Sequence, residues 1–177
     1  MKKLALAALA GGMVLFAWGF AAWMLLPMRE STIKQLPNES AFVSSLQRAN
    51  APRGVYFFGG PDRPPGPQGL LVYTPMTEAM NGGQLARTFV FDVLSALAVA
   101  WLLSRAAAMS FARRVLFVIL AGGVLAAMIV DLPNWNWFAY PGHYTLMSAL
   151  DRLIGWVLAG VALAAIVKPQ QQEMVTA

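Results

Sequence analysis

Residues 88–130 read TFVFDVLSALAVAWLLSRAAAMSFARRVLFVILAGGVLAAMIV. Two apolar runs, 88–104 and 115–130, flank a short linker. The apolar residues come in blocks and not with amphipathic periodicity, so a helix built from either run would be apolar on every side and would need lipid or other apolar helices around it. The linker, SRAAAMSFARR, carries Arg105, Arg113 and Arg114 and no acid. That is the pattern of a cytoplasmic turn, because Lys and Arg close to span ends are retained on the cytoplasmic side.

The same signature recurs on both flanks. Residues 4–26, LALAALAGGMVLFAWGFAAWMLL, contain no charge, and residues 145–167, TLMSALDRLIGWVLAGVALAAIV, form a fourth block. A helix of roughly 20 apolar residues crosses about 30 Å of hydrocarbon. Lys2 and Lys3 resemble the positive start of a signal peptide, but the apolar run that follows far exceeds the roughly 7 to 15 residues of a signal-peptide core, so it reads as an uncleaved anchor. After the fourth block, Lys168, Pro169 and the polar QQQE end the helix. Lys2 and Lys3, the arginine turn and Lys168 lie on one side only if the chain crosses four times, with both termini cytoplasmic.

The expected fold is therefore an all-α membrane protein, a four-helix transmembrane bundle with a small extracytoplasmic α/β insert between helices 1 and 2. Its divisions are 1–26 (cytoplasmic N-terminus and first helix), 27–87 (insert), 88–167 (helices 2 to 4) and 168–177 (cytoplasmic tail). The six basic residues of 27–87 do not oppose this, since segments of about 60 residues translocate largely regardless of charge. Residues 131–144, DLPNWNWFAYPGHY, form an outer loop whose Trp135, Trp137, Phe138, Tyr140 and Tyr144 suit the headgroup layer. Within the insert, Asn38 is an expected N-cap, and Phe42, Leu46 and Ala49 recur at helical spacing until Asn50-Ala51-Pro52. GVYFF (54–58) and GLLVY (69–73) are β-prone and suggest a hairpin closed by an irregular proline- and glycine-rich loop. Too small to be stable alone, the insert should lie on the outer mouth of the bundle or against a partner.

Composition removes several functional classes. Without cysteine the chain holds no disulfide, thiolate zinc site or iron–sulfur cluster, and with one histidine it cannot by itself hold a haem between two histidines, although a site shared with a partner subunit stays open. The thirteen Lys and Arg are scattered between apolar blocks, which argues against nucleic acid and for membrane orientation. No phosphate-binding glycine loop, Ser-His-Asp order, zinc-protease or calcium-loop pattern occurs.

What remains is a set of polar residues gathered toward the outer face. Asp92 lies within the second helix, Asp131 closes the third, and Asp151 with Arg152 sits about two turns into the fourth; His143 joins them. Ionisable groups at such depth are costly unless paired or wet. Arg152 needs an anion, which Asp92 or Asp131 would supply, locking helices together. Adjacent helical residues point about 100° apart, so Asp151 and Arg152 should face different helices. The competing reading is a proton, cation or polar-substrate site, and a metal held by His143 with one of the acids is a weaker variant of it. Gly11-Gly12, Gly122-Gly123, and the four-residue spacings of Gly155 with Ala159 and Gly160 with Ala164 would let helices approach closely. Trp18, Trp23, Trp101 and Trp156 read as bundle packing or interface anchors.

The runs WMLLPMRESTIKQLPNE, GVYFF, GLLVY and VDLPNWNWFAYPGHYTLMSALDRLIGWVLAGVALAAIVKP are similar to a loose group of uncharacterised small four-span bacterial inner-membrane proteins. The resemblance implies the four-helix design and the inner-membrane setting, and supplies no catalytic residues. The expectation is a non-catalytic accessory or scaffolding component of a membrane complex, with no cofactor and no nucleic acid. Its partners would be the lipid bilayer, other membrane proteins or further copies of itself. The alternative is a small transporter or ion- or proton-conducting protein using the Asp/Arg layer.

Overall fold

The computed structural model describes residues 2–26, 28–59, 64–75, 81–106 and 108–168. Four helices are long and apolar enough to cross a membrane: α1 (Lys2–Leu25), α4 (Gly82–Arg105), α5 (Phe111–Phe138) and α6 (Gly142–Ile166). Between α1 and α4 lie the short helices α2 (Met28–Thr32) and α3 (Glu39–Arg48) and the strands β1 (Gly54–Phe58) and β2 (Gly69–Tyr73). The strands pair antiparallel, Gly54 opposite Tyr73 and Phe58 opposite Gly69, so the expected hairpin forms.

Helix boundaries differ from the sequence reading where polar side chains cap backbone groups. α4 begins at Gly82, six residues before the apolar block, because the Asn81 side chain accepts the Gln84 N–H (3.0 Å) while the Gln84 side chain accepts the Asn81 N–H (3.1 Å). This reciprocal cap satisfies donors that would otherwise be orphaned at the first turn. α5 starts at Phe111 behind Ser110 and runs to Phe138, so residues 132–138 of the expected outer loop are helical. Pro133 lacks an N–H and its ring crowds the carbonyl four residues back. A π-helical turn at Ala127–Asp131 immediately precedes it and supplies a wider backbone there. Ala139, at φ 54°, then ends the helix in the left-handed region. Asn38 does precede α3, but it too is left-handed (φ 54°), and its side chain makes no capping hydrogen bond.

Each neighbouring pair of long helices is antiparallel, and small residues set the approach. A Cβ on Gly12 would lie 2.7 Å from the Val93 Cα and 2.8 Å from its N, so α1 and α4 meet backbone to backbone. Gly11 faces Ala96 and Leu163, Gly122 receives the Trp156 ring, and Gly155 receives Trp18. α6 thus packs on both α1 and α5, whereas α4 is held mainly through α1. The buried apolar cluster, with Ala7, Ala100, Leu103, Val118, Leu163 and Val167 among its members, fills the end where Lys2, Lys3, Arg105, Arg114 and Lys168 gather. At that end the Arg114 guanidinium donates to the Val167 carbonyl (2.9 Å), fastening α5 to an orphan carbonyl past the end of α6.

Among the described residues of the intervening segment, α2 packs back onto the bundle, against α6. The hairpin exposes Val55 and Val72, a directly opposed pair, at 66% and 71%.

Gly12→Ala should destabilise the fold by about 1 to 3 kcal/mol through overpacking against Val93. Gly19→Ala, whose Cβ would meet nothing within 4 Å, should be neutral or slightly stabilising. Thermal unfolding of both variants in detergent checks the contrast.

Candidate functional site

The acid-bearing half of the bundle is built around two consecutive residues on α6. Asp151 and Arg152 diverge by about 100°, as helix geometry requires, and each engages a different neighbour. Asp151 turns to α1: the Trp18 indole N–H donates to Oδ1 (2.8 Å) and to the Asp151 backbone carbonyl (3.1 Å), and the Trp23 indole N–H donates to Oδ2 (3.1 Å). Arg152 turns to α5 and makes a two-pronged pair with Asp131, Nε to Oδ2 at 2.8 Å and Nη2 to Oδ1 at 3.1 Å. Asp131 is 5% exposed, so its charge has little besides this guanidinium to stabilise it. Planar guanidinium and carboxylate match in two parallel hydrogen bonds, the strongest form of such a pair.

Of the two acids that could have partnered Arg152, Asp131 does so and Asp92 does not. The Asp92 carboxylate has no hydrogen-bond or ion-pair partner among the described residues. It faces a partly open cavity of about 690 Å³ that also reaches Asp151 and Arg152. The cavity lies between α4 and α5, which touch little over this half, with α1 and α6 behind it. Its polar lining includes Thr88 and Ser95 from α4, one turn to either side of Asp92, and its aromatic lining includes Phe16, Phe20, Trp18, Trp23 and Trp156. The Thr88 hydroxyl donates to the Gln84 carbonyl (3.1 Å), and Phe16 stacks edge-on with Phe89 at 5.7 Å.

His143 does not join this group. It sits exposed in the first turn of α6, eight residues before Asp151, a separation of about 12 Å along a helix axis. It does not line the cavity. No cluster of three His, Cys, Asp or Glu able to hold a metal occurs among the described residues. Nearby, the Tyr140 and Tyr144 rings pack edge to face at 5.4 Å, and Trp135 and Trp137 are exposed.

The sequence reading missed the role of Trp18 and Trp23. Residues five apart on a regular helix diverge by about 140°, which hides their joint action on one carboxylate. The last turn of α1, Ala21–Leu25, is π-helical; its extra residue per turn swings Trp23 back toward the face that carries Trp18. Another π-helical turn, Ile119–Val124, brings Ala121 and Gly122 to the cavity wall. Comparison of the chain with protein-family models, with curated proteins and with solved structures finds no match.

The indole contacts give a direct test. Trp18→Phe keeps the ring and removes the N–H, and should cost about 1 to 2 kcal/mol of stability because a carboxylate acceptor loses a donor. Trp18→Phe combined with Asp151→Leu should recover part of that loss. An unchanged melting temperature for Trp18→Phe would mean that water or another donor serves Asp151 equally well.

Proposed function

We propose that this chain is a four-span integral protein of a bacterial inner membrane, with both termini cytoplasmic, and that it serves as a non-catalytic accessory or scaffolding component of a membrane complex. The observation that carries the scaffolding role is the use of the interior charges. Arg152 and Asp131 satisfy each other, and both Asp151 oxygens accept indole donors. Charges consumed in this way fix the arrangement of α1, α5 and α6 and are not free to change occupancy. The exposed apolar ladder of the hairpin supports a role in contact with something outside the bundle, since an apolar surface of that kind is a usual mark of an interaction site. The orientation rests on the gathering of Lys2, Lys3, Arg105, Arg114 and Lys168 at one end of the bundle.

A second reading, a small transporter or ion-conducting protein, is favoured by one specific observation. Asp92 is an unpaired carboxylate on a cavity wall, where an architectural acid would be expected to have a partner.

A reporter fused after Lys168 should be active in the cytoplasm only, and one inserted between β1 and β2 should report the outer compartment. The opposite result at either position contradicts the four-span orientation. For the scaffolding role, extraction in mild detergent should retain stoichiometric membrane-protein partners or a defined homo-oligomer. A protein that purifies as a monomer without companions, and that shows ion-dependent flux in proteoliposomes, would favour the second reading.

A further inference from the structure

The cavity beside Asp92 has the chemistry of a selective site. Apart from Arg87, which is exposed near the start of α4 and does not line the cavity, this half of the bundle holds three carboxylates and one guanidinium; Asp131 neutralises Arg152, and the Asp151 oxygens are taken by Trp18 and Trp23. Asp92 is left with its acceptor capacity unused and its charge uncompensated. Five aromatic residues, Phe16, Trp18, Phe20, Trp23 and Trp156, stand among otherwise mainly small and aliphatic wall residues, and the electron-rich faces of such rings attract cations. A small metal ion would need several oxygen ligands to replace its hydration shell, and the lining offers too few free ones. A bulky cation with a dispersed, weakly hydrated charge needs only one counter-charge and apolar contact. The volume of about 690 Å³ falls within the range of roughly 300 to 1,000 Å³ typical of sites for drug-sized molecules. Two of the three π-helical turns contribute wall residues, Trp23 and Met24 from one and Ala121 and Gly122 from the other, and such turns are frequent at functional sites.

We propose that this cavity binds a lipophilic organic cation, an amine or quaternary onium whose charge rests against Asp92 and whose apolar body lies among Phe16, Phe20 and Trp156. The assignment rests on the four-span reading and gives a ligand class to the second reading above.

The test uses the full-length protein in mild detergent and a pair of probes of nearly identical shape and opposite charge, tetraphenylphosphonium and tetraphenylborate. Titration followed by calorimetry and tryptophan quenching should show saturable binding of the phosphonium and none of the borate. Asp92→Asn should weaken that binding at least tenfold with thermal unfolding unchanged. Ser95→Phe, which keeps the carboxylate and fills space one turn along α4, should block it sterically and provides an independent variant if Asp92→Asn fails to fold. Three results would overturn the proposal: no saturable phosphonium binding, equal binding of the borate, or affinity that neither variant alters. Displacement by millimolar sodium would also overturn it, because the site would then be one for a small inorganic ion. Correct reporter topology with no phosphonium binding removes the ligand site alone, whereas incorrect topology with Asp92-dependent binding removes only the membrane orientation.

Discussion

Asp151 and Arg152 occupy neighbouring positions on one helix and pull in different directions, and the arrangement of the other helices depends on that divergence. Between helices surrounded by lipid, apolar contact confers little preference, because lipid tails are as apolar as leucine side chains. Specificity must come from close packing at small residues and from polar groups that have no other partner. The Trp18 and Trp23 indoles bind α1 to α6 through Asp151, and the guanidinium of Arg152 binds α5 to α6 through Asp131. With α6 in the middle and α4 attached chiefly through α1, nothing forces α4 and α5 together beyond the packed basic end. The cavity is the geometric consequence of that connectivity, and Asp92 projects from α4 toward the gap.

Much of this was legible in the chain because the signals were local. Blocks of apolar residues with arginines between them are enough to mark long helices, and GVYFF with GLLVY is enough to mark a strand pair. The divergence of Asp151 and Arg152 follows from the helix repeat alone. The choice of Asp131 over Asp92 was not legible, since either acid lay within the expected layer and only the packing of α5 against α6 decides between them. The indole donors were hidden for a related reason: Trp18 and Asp151 are separated by 133 residues, and a π-helical turn has no sequence signature comparable to a cap or a proline. The helical continuation through 132–138 was missed because the apolar block ends before Asp131 and the aromatic residues that follow suit an interfacial loop equally well.

The two ends of the bundle divide the work. At the basic end Ala7, Ala100, Leu103, Val118 and Leu163 pack without polar atoms, and Arg114 closes the end of α6 through the Val167 carbonyl. Cavities are scarce in close-packed interiors because unfilled space forfeits dispersion contacts, so stability is concentrated in this half. The opposite half carries every acid of the long helices, the cavity and both indole donors. It trades packing for hydrogen bonding, and it leads directly to the exposed aromatic residues of 135–138 and to the hairpin.

The Arg152–Asp131 pair holds α5 on α6 as an energetic unit. A double-mutant cycle built from Arg152→Met, Asp131→Leu and the double variant, read by unfolding in detergent, isolates the coupling between these two side chains. A coupling of about 1 to 3 kcal/mol is predicted, each single variant being less stable than the double because it leaves an uncompensated charge. A coupling indistinguishable from zero, with single-variant losses that simply add, would show that the two groups are solvated independently and that the pair does not hold α5 on α6.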